Sequence, residues 1–180
     1  MPRKARLELE AGVHHVYARG NGRQRIYLGD ADRLLYLRLL GHTVVRQQWR
    51  CLAYCFMPNH VHLLVETREP NLGAGMGRLH GSYAQMFNAR HERSGHLFQG
   101  RFGSVLMRSD EQLLHTARYI VRNPVEAGLC DGPGEWAWSS HAATLGDATP
   151  RWLDAERLLA YFGAGGGDPR RRYADFVELR

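Results

Sequence analysis

The sequence predicts a single α+β domain, and three observations lead there. Two strand-like runs, Trp49–Met57 and His60–Thr67, flank a Met57-Pro58-Asn59 turn and read as a hairpin. Helical periodicity recurs between and after the strand runs, over about 30–48, 72–93 and 110–123. The chain has 180 residues, 44% hydrophobic and 23% charged, enough to bury one real core.

Composition narrows the function classes. No apolar run reaches the length of a membrane span, so no membrane partner is expected. The basic start, Met1-Pro2-Arg3-Lys4-Ala5-Arg6, leads into no apolar signal region. Cys51, Cys55 and Cys130 are odd in number and lack paired spacing, which argues against a disulfide framework and fits a cytoplasmic protein. Lys plus Arg outnumber Asp plus Glu by 24 to 18, a net charge of +6, and Lys4 is the single lysine. An Arg-rich excess points to a polyanionic partner, or to a GC-rich genome that favours arginine codons.

The elements follow in order. Val13–Arg19 reads as a first strand, broken by Gly20-Asn21-Gly22. That turn, with Arg23, Gln24 and Arg25 beside it, is either a phosphate cradle of backbone N–H groups or a basic surface loop. Ile26-Tyr27-Leu28 reads as a short return. Asp30 can cap a helix to about Gln48, with Leu34, Leu35, Leu37 and Leu39 giving an apolar face. After the hairpin, Met76, Leu79, Tyr83 and Phe87 keep helical spacing over about 72–93 and read as core. Arg78, His80, Arg90, His91 and Arg93 lie on the other side.

The loop Ser94–Phe102 mixes aromatics, Arg101 and glycines. It suits stacking on unpaired bases, and equally an ordinary loop with its aromatics tucked inward. Ser104–Arg108 reads as a further strand. Ser109 with Gln112 forms a capping-box start for a helix to about Asn123, since Pro124 disfavours helical geometry before it. One more turn, Pro124–Ala127, is closed by Gly128. Gly132–His141 reads as a turn into a short helix with packing tryptophans, and Asp154–Phe162 as another short helix. Gly163–Asp168 reads as a linker before the basic Pro169–Tyr173.

The chemistry gathers at two places. In a strand, His60, His62 and Leu64 share one face, with the two imidazoles roughly 6–7 Å apart along it, close enough to share a metal ion. The motif alone is also compatible with two polar residues on a solvated strand face. On the 110–123 helix, Leu113, Leu114, Ala117, Ile120 and Val121 share one side, and His115, Tyr119, Arg122 and Asn123 the other. Tyr119 and Asn123, four apart, are neighbours on that stripe. Two imidazoles and an amide oxygen make an open site that suits Mg²⁺ or Mn²⁺ more than structural zinc. Such an ion would polarise a phosphoryl oxygen, and Tyr119 would be the nucleophile, a phenol of pKa near 10 that needs a cation nearby. Attack on a phosphodiester stores its bond energy in a phosphotyrosine that a free 3′-hydroxyl can later attack.

His60-Val61-His62 resembles the HUH motif of single-strand DNA transposases. The runs Ala53–Leu64, Ser94–Phe102 and Arg118–Leu129 resemble the REP-associated tyrosine transposases of the IS200-like group. So do Arg19-Gly20-Asn21 and Trp136-Ala137-Trp138-Ser139-Ser140. Together the matches span about residues 13–145 in family order. The resemblance implies a ferredoxin-like core with a central antiparallel sheet and the histidines on a central strand. It implies a catalytic domain over 1–150 and a small helical, basic extension over 151–180. It implies that Tyr119 cleaves single-stranded DNA in hairpin-forming repeats and stays joined to the 5′ side of the break, with Asn123 completing the metal site of His60 and His62. By position, Arg19, Asn21, Arg23, Arg101, Arg122, Arg170 and Arg171 are candidates for DNA contact. No small-molecule substrate is expected, and both monomer and homodimer are open. Two other functions fit the same core: a non-catalytic nucleic-acid-binding module, and a metal-dependent hydrolase with water as nucleophile.

Overall fold

The computed structural model describes residues 9–146, 149–164 and 166–179; the basic start Met1–Arg6 lies outside them, as does Gly165 of the expected linker. The elements are β1 (Gly12–Arg19), α1 (Asp30–Gln47), β2 (Arg50–Met57), β3 (His60–Thr67), α2 (Leu72–Arg90), β4 (Gly103–Leu106), α3 (Asp110–Glu126), α4 (His141–Leu145), α5 (Ala155–Leu159) and α6 (Pro169–Glu178). The sheet runs β2-β3-β1-β4, antiparallel throughout. The first six elements have the βαββαβ order of a ferredoxin-like unit, and the whole is α+β, as expected.

Period-two alternation divides the sheet into two faces. Val61, Leu63 and Val65 of β3, with Val16 and Ala18 of β1, bury against Leu35, Leu40 and Val44 of α1 and Met76, Leu79, Tyr83 and Phe87 of α2. On the opposite face, Leu64 of β3 and Leu52, Ala53, Cys55 and Met57 of β2 meet Leu113, Ala117, Ile120 and Val121 of α3. Leu158, Leu159, Tyr173 and Val177 of the chain's end join this second cluster. Helix α3 lies chiefly over β2 and β3. The β1–β4 side of that face stays open, where Tyr17 and Val105 remain exposed.

The edge strand β2 does not offer a bare row of backbone groups, which would invite pairing with another chain. Phe56 N–H donates to the Trp138 carbonyl, Ser140 N–H to Tyr54 and Asp154 N–H to Cys51. Tyr54 N–H donates to Ser140 Oγ.

Several local expectations are corrected. The start of α1 is capped by Asp32 rather than Asp30: Leu28 and Gly29 N–H donate to its Oδ2 at 2.8 and 3.3 Å. The buried carboxylate also takes Arg90 Nη1 at 3.1 Å and His91 Nε2 at 2.9 Å, clamping α1's start to α2's end. Leu34 stands exposed, because the buried stripe of α1 runs through Leu35, Tyr36, Leu40 and Val44. His80 is not on a solvated side: it is buried, bonded to Tyr36 Oη at 3.0 Å and stacked on Phe98. Ile26 and Tyr27 are buried but form no strand; Ile26 N–H donates to the Pro58 carbonyl. The amides of Gly20, Asn21, Arg23 and Gln24 are all engaged by backbone carbonyls, so this turn is not a phosphate cradle.

Burial drives the Asp32 carboxyl's pKa up, but His91, the Leu28 N–H and Arg90 outweigh it and hold the pKa below the usual range. A lowered folded-state pKa gives stability that is present above the unfolded value and lost as pH falls through the folded one. We predict that Asp32→Ala costs about 1.5–3 kcal/mol in chemical denaturation at pH 7, the range for charge-assisted hydrogen bonds. A cost below about 0.5 kcal/mol, typical of plain surface changes, would show that the clamp is incidental.

Candidate active site

Two elements carry the candidate residues onto one face. On β3, the alternation that buries Val61 and Leu63 turns His60 and His62 towards α3. On α3, the apolar stripe buries against β2 and β3, which leaves Tyr119 and Asn123 at the helix edge beside the histidines. The helix starts as expected: Ser109 Oγ accepts from Gln112 N–H at 3.1 Å, and Gln112 Oε1 accepts from Arg108 N–H at 2.8 Å. Its end differs. Pro124 sits inside the last turn, and the helix continues to Glu126. Gly128, with φ of 66°, then closes it: Gly128 N–H donates to Val125 and Leu129 N–H to Pro124. The continuation holds Asn123 in helical geometry, one turn from Tyr119.

The distances define a compact group. The His60 and His62 rings lie 5.0 Å apart, edge to face. The Tyr119 ring lies 5.5 Å from His62 and is 49% exposed. Asn123 Oδ1 lies 3.1 Å from His60 Nε2. A third imidazole joins: His15 of β1 places its Nε2 at 2.9 Å from His62 Nδ1.

Hydrogen-bond partners decide which nitrogen of His60 carries the proton. Asn59 Nδ2 donates to the Arg23 carbonyl at 3.2 Å, so the Asn59 Oδ1 faces His60 Nδ1, 2.7 Å away. An amide oxygen only accepts, so Nδ1 bears the hydrogen and Nε2 keeps its lone pair. That lone pair looks at Asn123 Oδ1, another acceptor. The Nε2 lone pair and the Asn123 amide oxygen are close enough to hold one cation together. On His62, Nδ1 is engaged by His15, which leaves Nε2 for a ligand.

The electrostatics agree with this. Burial pushes the His62 pKa down to about 3, with His15, His60 and Arg19 adding to the shift. Burial also lowers His15 and His60; for His60 the Asn123 Oδ1, which would accept from a protonated ring, opposes the shift and Arg19 reinforces it. All three imidazoles are therefore neutral at pH 7, the form that ligates metals. Among the described residues no three His, Cys, Asp or Glu side chains converge on one ion position. The His60, His62 and Asn123 set is a mixed one, two imidazoles and an amide.

The remaining candidates separate by position. Arg19 and Arg101 are exposed and, with Tyr17, His60, Gln99 and Gly100, line a cleft of about 300 Å³. The backbone forms that cleft: Gln99 N–H donates to Arg19 and Asn21 N–H to Leu97, drawing the 94–102 loop against the end of β1. Asn21 lines the adjoining pocket with His96 and Phe98. Arg23 is exposed in the turn beside it. Arg122 does not face the histidines: its guanidinium binds Glu126 and the Val177 carbonyl, tying α3 to α6. Arg170 lines a separate pocket with Trp49, Arg50, Arg68 and Arg151, at the far end of β3 from His60. Arg171 is exposed on α6. Phe98 and Leu97 of the loop turn inward, so the loop aromatics pack rather than present.

Three residues at the site escaped the sequence reading: His15, Tyr17 and Asn59. The same period-two rule, applied to Val13–Arg19, places His15, Tyr17 and Arg19 on one face.

Residues 10–123 match the family of IS200-like transposases. The chain belongs to the IS200-like transposase family. Within it, the chain is 28% identical over 109 residues to a Haemophilus influenzae protein assigned by name to the REP-associated tyrosine transposases. That match covers 54% of this chain and 62% of the relative's length. A solved structure of a REP-associated tyrosine transposase bound to a REP hairpin superposes with a TM-score of 0.65 at 18% identity. It covers 83% of this chain and 89% of that one, and supports the fold. The family match takes in β1 to α3 as far as Asn123, so the histidine strand and the tyrosine helix both lie inside it.

Two predictions follow from the site itself. Long-range ¹H–¹⁵N NMR should find His60 protonated at Nδ1 in the wild type, shifting towards Nε2 protonation in Asn59→Ala; Nε2 protonation in both would refute the tautomer assignment. Because the buried imidazoles titrate below their unfolded pKa near 6.5, folding stability is complete above that pH and falls as pH drops towards the folded values. The thermal midpoint should therefore decline between pH 6.5 and 5, and a flat midpoint would mean that His62 is not held neutral.

Proposed function

We propose that this chain is a single-stranded DNA endonuclease and strand transferase that acts on hairpin-forming repeats through a covalent 5′-phosphotyrosine at Tyr119. The observation that carries this reading is the meeting of Tyr119 with His60, His62 and Asn123 on one face, from two separate elements. In a purely structural arrangement a tyrosine packs on or beside the apolar stripe. Here it stands half-exposed beside two lone-pair donors.

His60 Nε2, His62 Nε2 and Asn123 Oδ1 would hold the divalent cation, Mg²⁺ or Mn²⁺. When bound, such an ion supplies positive charge to a phosphoryl oxygen as charge develops in an in-line displacement. The chain's own residues do the rest. Arg19 and Arg101 draw the DNA backbone into the cleft. Tyr119 Oη attacks the scissile phosphorus, the bond to the 3′ oxygen breaks, and that oxygen takes up a proton to match the one the phenol gives up. A 3′-hydroxyl then reverses the step by attacking the phosphotyrosine, which joins strands without an outside energy source. The basic surface and the hairpin named for the structural neighbour support a DNA hairpin as substrate.

The test is an adduct assay with hairpin oligonucleotides taken from repeats flanking the gene, labelled at the 3′ end, in Mn²⁺. A labelled band should appear at protein mass on a denaturing gel. It should vanish in Tyr119→Phe and in chelator, and fall at least about 100-fold in His60→Ala, the scale of a lost catalytic group. Cleavage without an adduct would replace Tyr119 with water as nucleophile. Hairpin binding with no cleavage on any repeat would leave a binding module.

A further inference from the structure

The open half of the sheet face carries a feature that the cleavage chemistry does not use. Tyr17 sits on central strand β1, opposite His62 on one side and Gly103 of β4 on the other. A central-strand aromatic is normally covered; this one is 44% exposed, next to exposed Val105 on the same face. Its ring is held in place from below. A Cβ added at Gly103 would lie 2.3 Å from Tyr17 Cζ, so the phenol end rests directly on the glycine backbone. Glycine at 103 leaves room for an aromatic to lie over the neighbouring strand, and Tyr17 lines the cleft.

The surroundings select the ligand. The cleft holds Arg19, Arg101 and Gln99 and no acidic residue, and neither arginine forms an ion pair among the described residues. Two cations suit phosphates, an amide suits a base edge, and an exposed aromatic suits a base face. The Tyr17 ring lies 6.4 Å from His62 and 5.5 Å from His15. A base upon it would belong to a nucleotide beside the phosphate at Tyr119. We propose that Tyr17, laid over Gly103, is the stacking platform for an unpaired DNA base adjoining the scissile phosphate. That the neighbouring phosphate is the scissile one rests on the transferase reading; the stacked base rests on the geometry alone.

The experiment places 5-iododeoxyuridine in turn at each unpaired position beside the stem of the same hairpins. It uses Tyr119→Phe protein, so that binding is read without cleavage. Irradiation should crosslink one position to Tyr17, identified by peptide mass spectrometry. In that background Tyr17→Ala should weaken binding about 5- to 150-fold, the range for one base–aromatic stack, and Tyr17→Phe should stay near the parent. Gly103→Ala, which pushes the ring off its seat, should lose the crosslink while the fold is retained by circular dichroism. If no position crosslinks to Tyr17 and Tyr17→Ala binds like the parent, the platform is overturned, even where wild-type protein still forms its adduct. A Tyr17 crosslink with no adduct in the wild type would keep the platform and end the transferase reading.

Discussion

The site depends on where α3 docks. Its apolar stripe, Leu113, Ala117, Ile120 and Val121, is covered by the side chains that β2 and β3 turn to that face, with Leu158, Leu159, Tyr173 and Val177 of the chain's end closing the same cluster. Strand alternation sends His60 and His62 to the same face as Leu64. One packing event therefore buries a helix and sets a tyrosine and an asparagine beside two histidines. The site's geometry is a by-product of core burial. Helix α3 also leaves β1 and β4 uncovered, and that gap is the cleft.

A second layer of contacts prepares the first. The Arg23 carbonyl orients Asn59, Asn59 orients His60, and His60 presents a lone pair to Asn123. His15 does the corresponding work for His62. The chain of bonds links the Gly20–Arg23 turn to the centre of the sheet. The turn's amides are used internally, so it acts through its carbonyl and its arginine rather than as an anion cradle. The residues after 150 act from further away: they join the cluster under α3 and cover the β2 edge, and Arg122 anchors α3 to α6.

Much of this was legible in the sequence, for identifiable reasons. Strands and long helices carry their periods openly, so β1 to α3 and the shared faces of His60 with His62 and of Tyr119 with Asn123 could be read from spacing. What could not be read was set by tertiary contact. Asp32 caps α1 because His91 and Arg90 arrive from another helix to hold it. His80 is buried because Tyr36 and Phe98 meet it. Arg122 looked free on its stripe until α6 supplied a carbonyl. His15 and Tyr17 were readable from the alternation of β1, but their partners lie on β3 and β4, distant in sequence.

The proposed cation site joins two imidazoles of β3 and the amide of α3 beside Tyr119. Electron spin-echo spectroscopy of Mn²⁺ bound to the wild-type protein tests it most directly. Nitrogen couplings from two imidazoles are expected, one of them lost in His60→Ala and the other in His62→Ala, with weaker Mn²⁺ binding in Asn123→Ala. A Mn²⁺ signal with water couplings alone, unchanged in all three variants, would contradict it.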